Sequence, residues 1–149
     1  MFFYDVGSPL SWLAAERVGG APEWVPVRLP AAEVDRAALE RDAAAAGMPA
    51  VVWPDPFPFD SRTAMLAATF AKAAGRGVAF SLAAMRQAFL AGRDLGEVDN
   101  VLIAAAACEL HPRAVLKGIE SRGTAEALEA ATERARAAGV TEVPALVDP

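Results

Sequence analysis

Cysteine is almost absent from this chain. Cys108 is the single thiol among 149 residues, which excludes an intrachain disulfide and any cysteine-built metal site. Histidine is as scarce: with His111 alone, a Ser-His-Asp triad is a weak reading and no metal site is expected. Basic clusters are missing, and the formal net charge is -5. That argues against nucleic acid and anionic membrane surfaces as partners. No apolar run approaches the length of a membrane span. Strand-like residues begin at position 2, so no signal peptide is expected and a cytoplasmic location is. What is present is apolar: 54% of the chain is hydrophobic and 22% charged, the balance of one globular domain with a real core.

The patterning supplies elements. Phe2 to Val6 reads as a short buried strand rich in aromatics. Gly7-Ser8-Pro9 ends it. Leu10, Leu13, Ala14 and Val18 then recur at helical spacing up to Gly19-Gly20. "EWVPVRLP" reads as a second strand, at a sheet edge because Pro26 has no N–H for a ladder. Strand, helix and strand in this order form a parallel, right-handed βαβ unit. "AAEVDRAALERDAAAAG" is expected to be helical up to Gly47. "MPAVVWPDPFPFD" carries four prolines and reads as a rigid, extended connector. Ser61 is expected to cap a helix carrying Met65, Leu66, Phe70 and Ala73. Further helices hold Leu82, Met85 and Phe89, and then Val98, Val101, Leu102 and Ala105. Thr124 is expected to cap a last helix that stops at Gly139. "GVTEVPALVDP" reads as a turn followed by a third strand from about Ala145.

Taken singly, the residues have plain explanations. Ser8-Pro9 is a common helix start, serine at the N-cap and proline at the first helical position. Ser11 reads as a polar residue of the first turn. Tyr4 and Trp12 either border a ligand or pack the core, and packing is the default. Cys108 shares a stripe with Val101 and Ala105, as a small buried hydrophobe does. His111 reads as a surface residue in a connection between helices, and Asp5 as a strand-end side chain with a structural hydrogen bond. The aromatics of "WPDPFPFD" either roof a pocket or pin the connector down.

Taken together, the motifs carry more. "FYDVGSPLSWLAAE" closely resembles the first strand and helix of the kappa-class glutathione transferases and the 2-hydroxychromene-2-carboxylate isomerases, which belong with the DsbA-like proteins. "GVTEVPALV" is similar to the family's segment around its cis-proline. "FPFDSRTAMLAATFAKAAGR" and "RQAFLAGRDLGEVDNVL" are similar to its inserted helices. The resemblance implies an α/β, thioredoxin-like fold with a helical insertion. Residues 1–30 and 124–149 would form the split thioredoxin-like part and residues 31–123 the inserted helical domain. The family's final strand and helix have no counterpart before Pro149. The last strand is therefore expected to be a sheet edge, one sheet face to lack a covering helix, and the chain to form a homo-oligomer.

The resemblance also assigns roles. Where thioredoxin-like oxidoreductases carry C-P-x-C, this chain has Ser8, Pro9, Leu10 and Ser11. Hydroxyls in place of thiols rule out dithiol–disulfide exchange there. Ser8 would contact the sulfur of bound glutathione, Val143 would pair its backbone with the glutathione peptide, and Pro144 would be the cis-proline. Ser11 would belong to the cofactor site. Physical chemistry agrees for Ser8: a helix N-terminus offers unpaired N–H groups and about half a positive charge. It therefore favours a thiolate over a thiol that ordinarily titrates near ~8.5. A hydroxyl bond to that anion adds about 1–3 kcal/mol. The serine would then hold another molecule's nucleophile rather than act as one.

Two functions follow from different classes. One is a glutathione-dependent isomerase or transferase acting on small aromatic or electrophilic substrates. The other is a catalytically inactive DsbA-like domain that binds a thiol or peptide, or serves in oligomerisation. The alanine-, arginine- and glycine-rich composition suggests a GC-rich genome, which leaves another low-molecular-weight thiol as the alternative cofactor.

Overall fold

A computed structural model describes residues 1–149. Three short strands, β1 (Phe2–Tyr4), β2 (Trp24–Pro26) and β3 (Ala145–Leu146), form one sheet in the order β2-β1-β3. β1 runs parallel to β2, with Phe2 opposite Trp24 and Tyr4 opposite Pro26, and antiparallel to β3. Pro26 thus lies on an edge strand, where its missing N–H costs no ladder bond. β2 is shorter than "EWVPVRLP" suggests. Val27 N–H still reaches Tyr4 O, but Arg28 N–H turns away to Thr132 Oγ1. The ladder ends because β1 itself ends at Tyr4.

Between β1 and β2 lies α1 (Pro9–Val18). After β2 come α2 (Arg36–Ala45), α3 (Arg62–Ala73), α4 (Gly77–Phe89), α5 (Val98–Ala107), α6 (Pro112–Glu120) and α7 (Arg122–Ala137). Three helix starts differ from the expectation. α2 is capped by Asp35, whose side chain accepts from Ala38 N–H, so residues 31–34 stay outside the helix. α7 begins behind Ser121 rather than Thr124, which sits inside its first turn. α6 stands where a connection between helices is expected: His111 is its N-cap and accepts from Arg113 N–H through Nδ1, with Pro112 in the first helical position as such starts favour.

The consecutive aromatics of β1 alternate between two faces, as strand residues must. Phe2 and Tyr4 stack on one face, with Trp24 edge-on to both. They join one apolar cluster that continues through Trp12 of α1 into Met65, Phe80, Met85 and Phe89. Phe3, Val25 and Val27 face the other way, onto Ala131 and Ala135 of α7. The expected uncovered sheet face is therefore absent: Phe2, Phe3 and Tyr4 are all 0% exposed. α7 supplies the cover, and exposure on the sheet is confined to Leu146 of β3. α3 is the hub of the helical part, packing against α4, α5, α6 and α7. No helix is long and apolar enough to cross a membrane.

Candidate functional site

The loop from β1 to α1 is built by its own backbone. Asp5 Oδ1 accepts from Gly7 N–H at 2.8 Å, and Asp5 O accepts from Ser8 N–H at 3.0 Å. Val6 N–H ends on Met65 Sδ at 3.3 Å. Ser8 is extended, and its Oγ accepts from Ser11 N–H at 3.1 Å. This is an N-cap followed by proline, the arrangement that the dipeptide favours. A hydroxyl that accepts one bond still has its proton to give. Ser11 Oγ faces Asp5 N–H at 3.4 Å, so both serines of the first turn are tied to the loop. Both are 0% exposed.

Gly7 lies next to Ser8 and borders a cavity of ≈310 Å³. Its polar side is Asp5, Arg28, Asp60 and Ser61, and its apolar wall includes Leu29, Ala31 and Phe59. Arg28 joins the polar side: Nη1 donates to Ser61 Oγ at 2.6 Å and lies 3.8 Å from Asp5 Oδ2, while Nη2 is 3.4 Å from Asp60 Oδ1. Burial raises the pKa of Asp5; the bonds from Gly7 and Ser61 and the Arg28 charge oppose that rise, and Asp60 adds to it. The result is a largely buried carboxyl held by an arginine at the cavity edge. Gly7 sits in close approach to both: a Cβ there would meet Ser61 Cβ at 3.0 Å and Asp5 Oδ1 at 3.3 Å, and those side chains would have to give way.

Val143 and Pro144 lie on the far side of Ala31. The bond between them is cis. Val143 is 0% exposed. Its N–H donates to Pro30 O at 3.1 Å, and its C=O accepts from Ala32 N–H at 3.1 Å, so Ala31 and Val143 form a parallel bridge. Ser8 and Ser11 thus share one helix turn, whereas Val143 reaches the cavity only through its partner Ala31.

The remaining candidates fall in place simply. Tyr4 Oη and Ser81 Oγ are 2.6 Å apart in the core, and Trp12 is fully buried. Burial pushes the Cys108 thiol up, away from reactivity. Trp53 and Phe57 pin the connector onto Phe89, while Phe59 and Pro58 wall the cavity. Arg28 and Asp60 belong to no motif in the sequence, and Ser61 is expected from it as a cap. α3 starts without a side-chain cap bond from Ser61. The one sequence signal is a charged Arg28 near the end of an otherwise apolar strand segment, "EWVPVRLP".

The sequence pattern of the DsbA-like thioredoxin domain matches residues 1–147. No curated protein sequence matches the chain. Among solved structures, a 2-hydroxychromene-2-carboxylate isomerase superposes with a TM-score of 0.85 at 19% identity, covering 99% of this chain and 85% of that one. A candidate protein disulfide isomerase from Nitrosomonas europaea superposes with a TM-score of 0.75 at 16% identity, over 98% and 81%. At such identities these likenesses concern the fold. With the domain pattern spanning nearly its whole length, the chain belongs to the DsbA-like thioredoxin domain family.

Proposed function

We propose that this chain is a thiol-dependent isomerase or transferase of small electrophilic substrates, with glutathione or another low-molecular-weight thiol as cofactor. The observation that carries the reading is the start of α1. A serine hydroxyl, with its proton free, caps the helix where related oxidoreductases have a thiol, and a cavity opens beside it at Gly7. A helix N-terminus and a hydroxyl donor fit a sulfur anion. When bound, the thiol supplies the nucleophile that adds to a conjugated double bond, then leaves after rotation in an isomerase or stays attached in a transferase. Ser8 orients and stabilises the sulfur, and Ser11 keeps the first turn in register through Asp5. Leu29, Ala31 and Phe59 offer an apolar wall to the substrate, and Arg28 a charged edge. Both fit a small aromatic acid.

Ser8→Ala is the test. Turnover of 2-hydroxychromene-2-carboxylate should fall by at least about 10²-fold, as loss of a donor to a developing anion does, while the variant stays folded. Full activity in that variant would remove Ser8 from the mechanism.

A second reading rests on burial. Ser8 and Ser11 are wholly covered, as befits a non-catalytic domain whose first turn is structural. Melting in millimolar glutathione, and in millimolar 2-mercaptoethanol, separates the two, because a ligand of the native state must raise the transition temperature. No rise with either thiol favours the inactive domain. A homo-oligomer is supported by Leu146 alone, 63% exposed on the edge strand β3. A single monomeric boundary in sedimentation would dismiss it.

A further inference from the structure

Recognition of a peptide by backbone pairing requires a free N–H and C=O on the receiving strand. At Val143 neither stands free. The single N–H is given to Pro30 O and the carbonyl takes Ala32 N–H, both at 3.1 Å. The donor segment is anchored on both sides: Val27 N–H bonds Tyr4 O just before it, and the Asp35-capped helix α2 follows. Pro30 has no N–H, so the segment offers its carbonyl to Val143 without leaving an outward donor at that residue. Ala31, in the middle, lines the same cavity as Gly7. Ala31 thus meets Val143, the residue before Pro144, on one side and the cavity that Gly7 borders on the other.

An incoming peptide would have to break two backbone bonds in order to make two. It would also lose translational freedom that the tethered segment gave up on folding. The exchange favours the internal partner.

Resting on the thiol-cofactor reading above, we infer that Pro30–Ala32 is a built-in strand filling the main-chain pairing position at Val143, so that the cavity accepts small thiols by their sulfur end and does not read them as peptides. On that reading Ser8 would hold the sulfur, while the pairing position at Val143 is already taken. Glutathione then gains nothing from its two peptide bonds at Val143.

Wild-type protein suffices for the test. Amide exchange followed by NMR should find the Val143 and Ala32 N–H groups protected without ligand; exchange at the rate of open amides overturns the built-in strand whatever the thiol result. Calorimetry with glutathione and with 2-mercaptoethanol should give affinities within about threefold of each other, since two net backbone bonds would separate them by about thirtyfold. Ala32 losing protection on glutathione binding while Val143 keeps it overturns the inference, because the peptide has then replaced the segment; a glutathione preference of about thirtyfold overturns it too, because the pairing position was then free. If neither thiol binds, the thiol reading fails, and the strand is judged by the ligand-free exchange alone.

Discussion

α1 starts at Ser8 and α3 starts at Ser61, and both serines are buried. At Ser8 the side chain turns inward on its own helix and satisfies Ser11 N–H. At Ser61 it turns away from its helix and takes a bond from Arg28 Nη1. Asp60 serves the first turn instead, through its bond from Arg62 N–H. One residue type in one position therefore fills two roles, and the neighbour across the fold decides which. Ser8 has no cation beside it. Ser61 faces the guanidinium that also offsets the buried Asp5 carboxyl.

The contrast can be broken in graded steps. Arg28→Ala should have the largest effect, about 2 kcal/mol of lost stability at pH 7, because it leaves a buried carboxylate without its cation; Arg28 is 34% exposed, which keeps the loss below that of a wholly buried pair. The loss should shrink in denaturant melts below about pH 4, where Asp5 is protonated in both folded and unfolded chains. Ser8→Ala should cost about 1 kcal/mol at every pH, the value of an N-cap. Ser61→Ala removes no cap, so its cost of about 0.5–1 kcal/mol is that of one hydrogen bond. It alone of the two serine variants should push the Asp5 titration further up, read by carbonyl NMR, since the Ser61 bond opposes the rise.

Asp5→Asn tests the sign. A carboxyl whose folded pKa is raised favours the folded state most below its unfolded value near ~3.9 and loses that contribution as pH climbs through the folded value. The stability of the wild type minus that of the Asp5→Asn variant should therefore fall from acid to neutral pH; a difference that rises would contradict the raised value. Smallest of all is Glu16→Gln, which removes the Arg86 pair joining α1 to α4. The expected loss is about 0.5 kcal/mol. The Arg86 bond lowers the Glu16 pKa, so this contribution should be present above about pH 4.3 and fade as pH falls further.

Local rules made much of the fold legible. The aromatic run of β1, the Ser8-Pro9 helix start, the edge proline Pro26 and the strand near Ala145 all rest on short-range patterning. What escaped depends on long-range partners. α6 hid behind His111, whose imidazole is an uncommon cap. Residues 31–34 read as helical because their alanines suit a helix, yet Ala31 is claimed by Val143, more than a hundred positions away. The cavity escaped for the same reason, since Asp5, Arg28 and Ser61 meet only when β1, β2 and α3 converge. Ser8 and Ser11 were readable as a pair, but their complete burial was not.

Met65 closes that convergence in an unusual way. It is wholly buried, and its sulfur receives Val6 N–H from the loop ahead of α1. Methionine and leucine normally exchange in a core at little cost because their volumes match. Here the swap would keep the shape and strand a main-chain donor, since leucine offers no lone pair. Met65 is thus a core position where hydrophobicity and size do not define an acceptable substitute, and a soft thioether lone pair does.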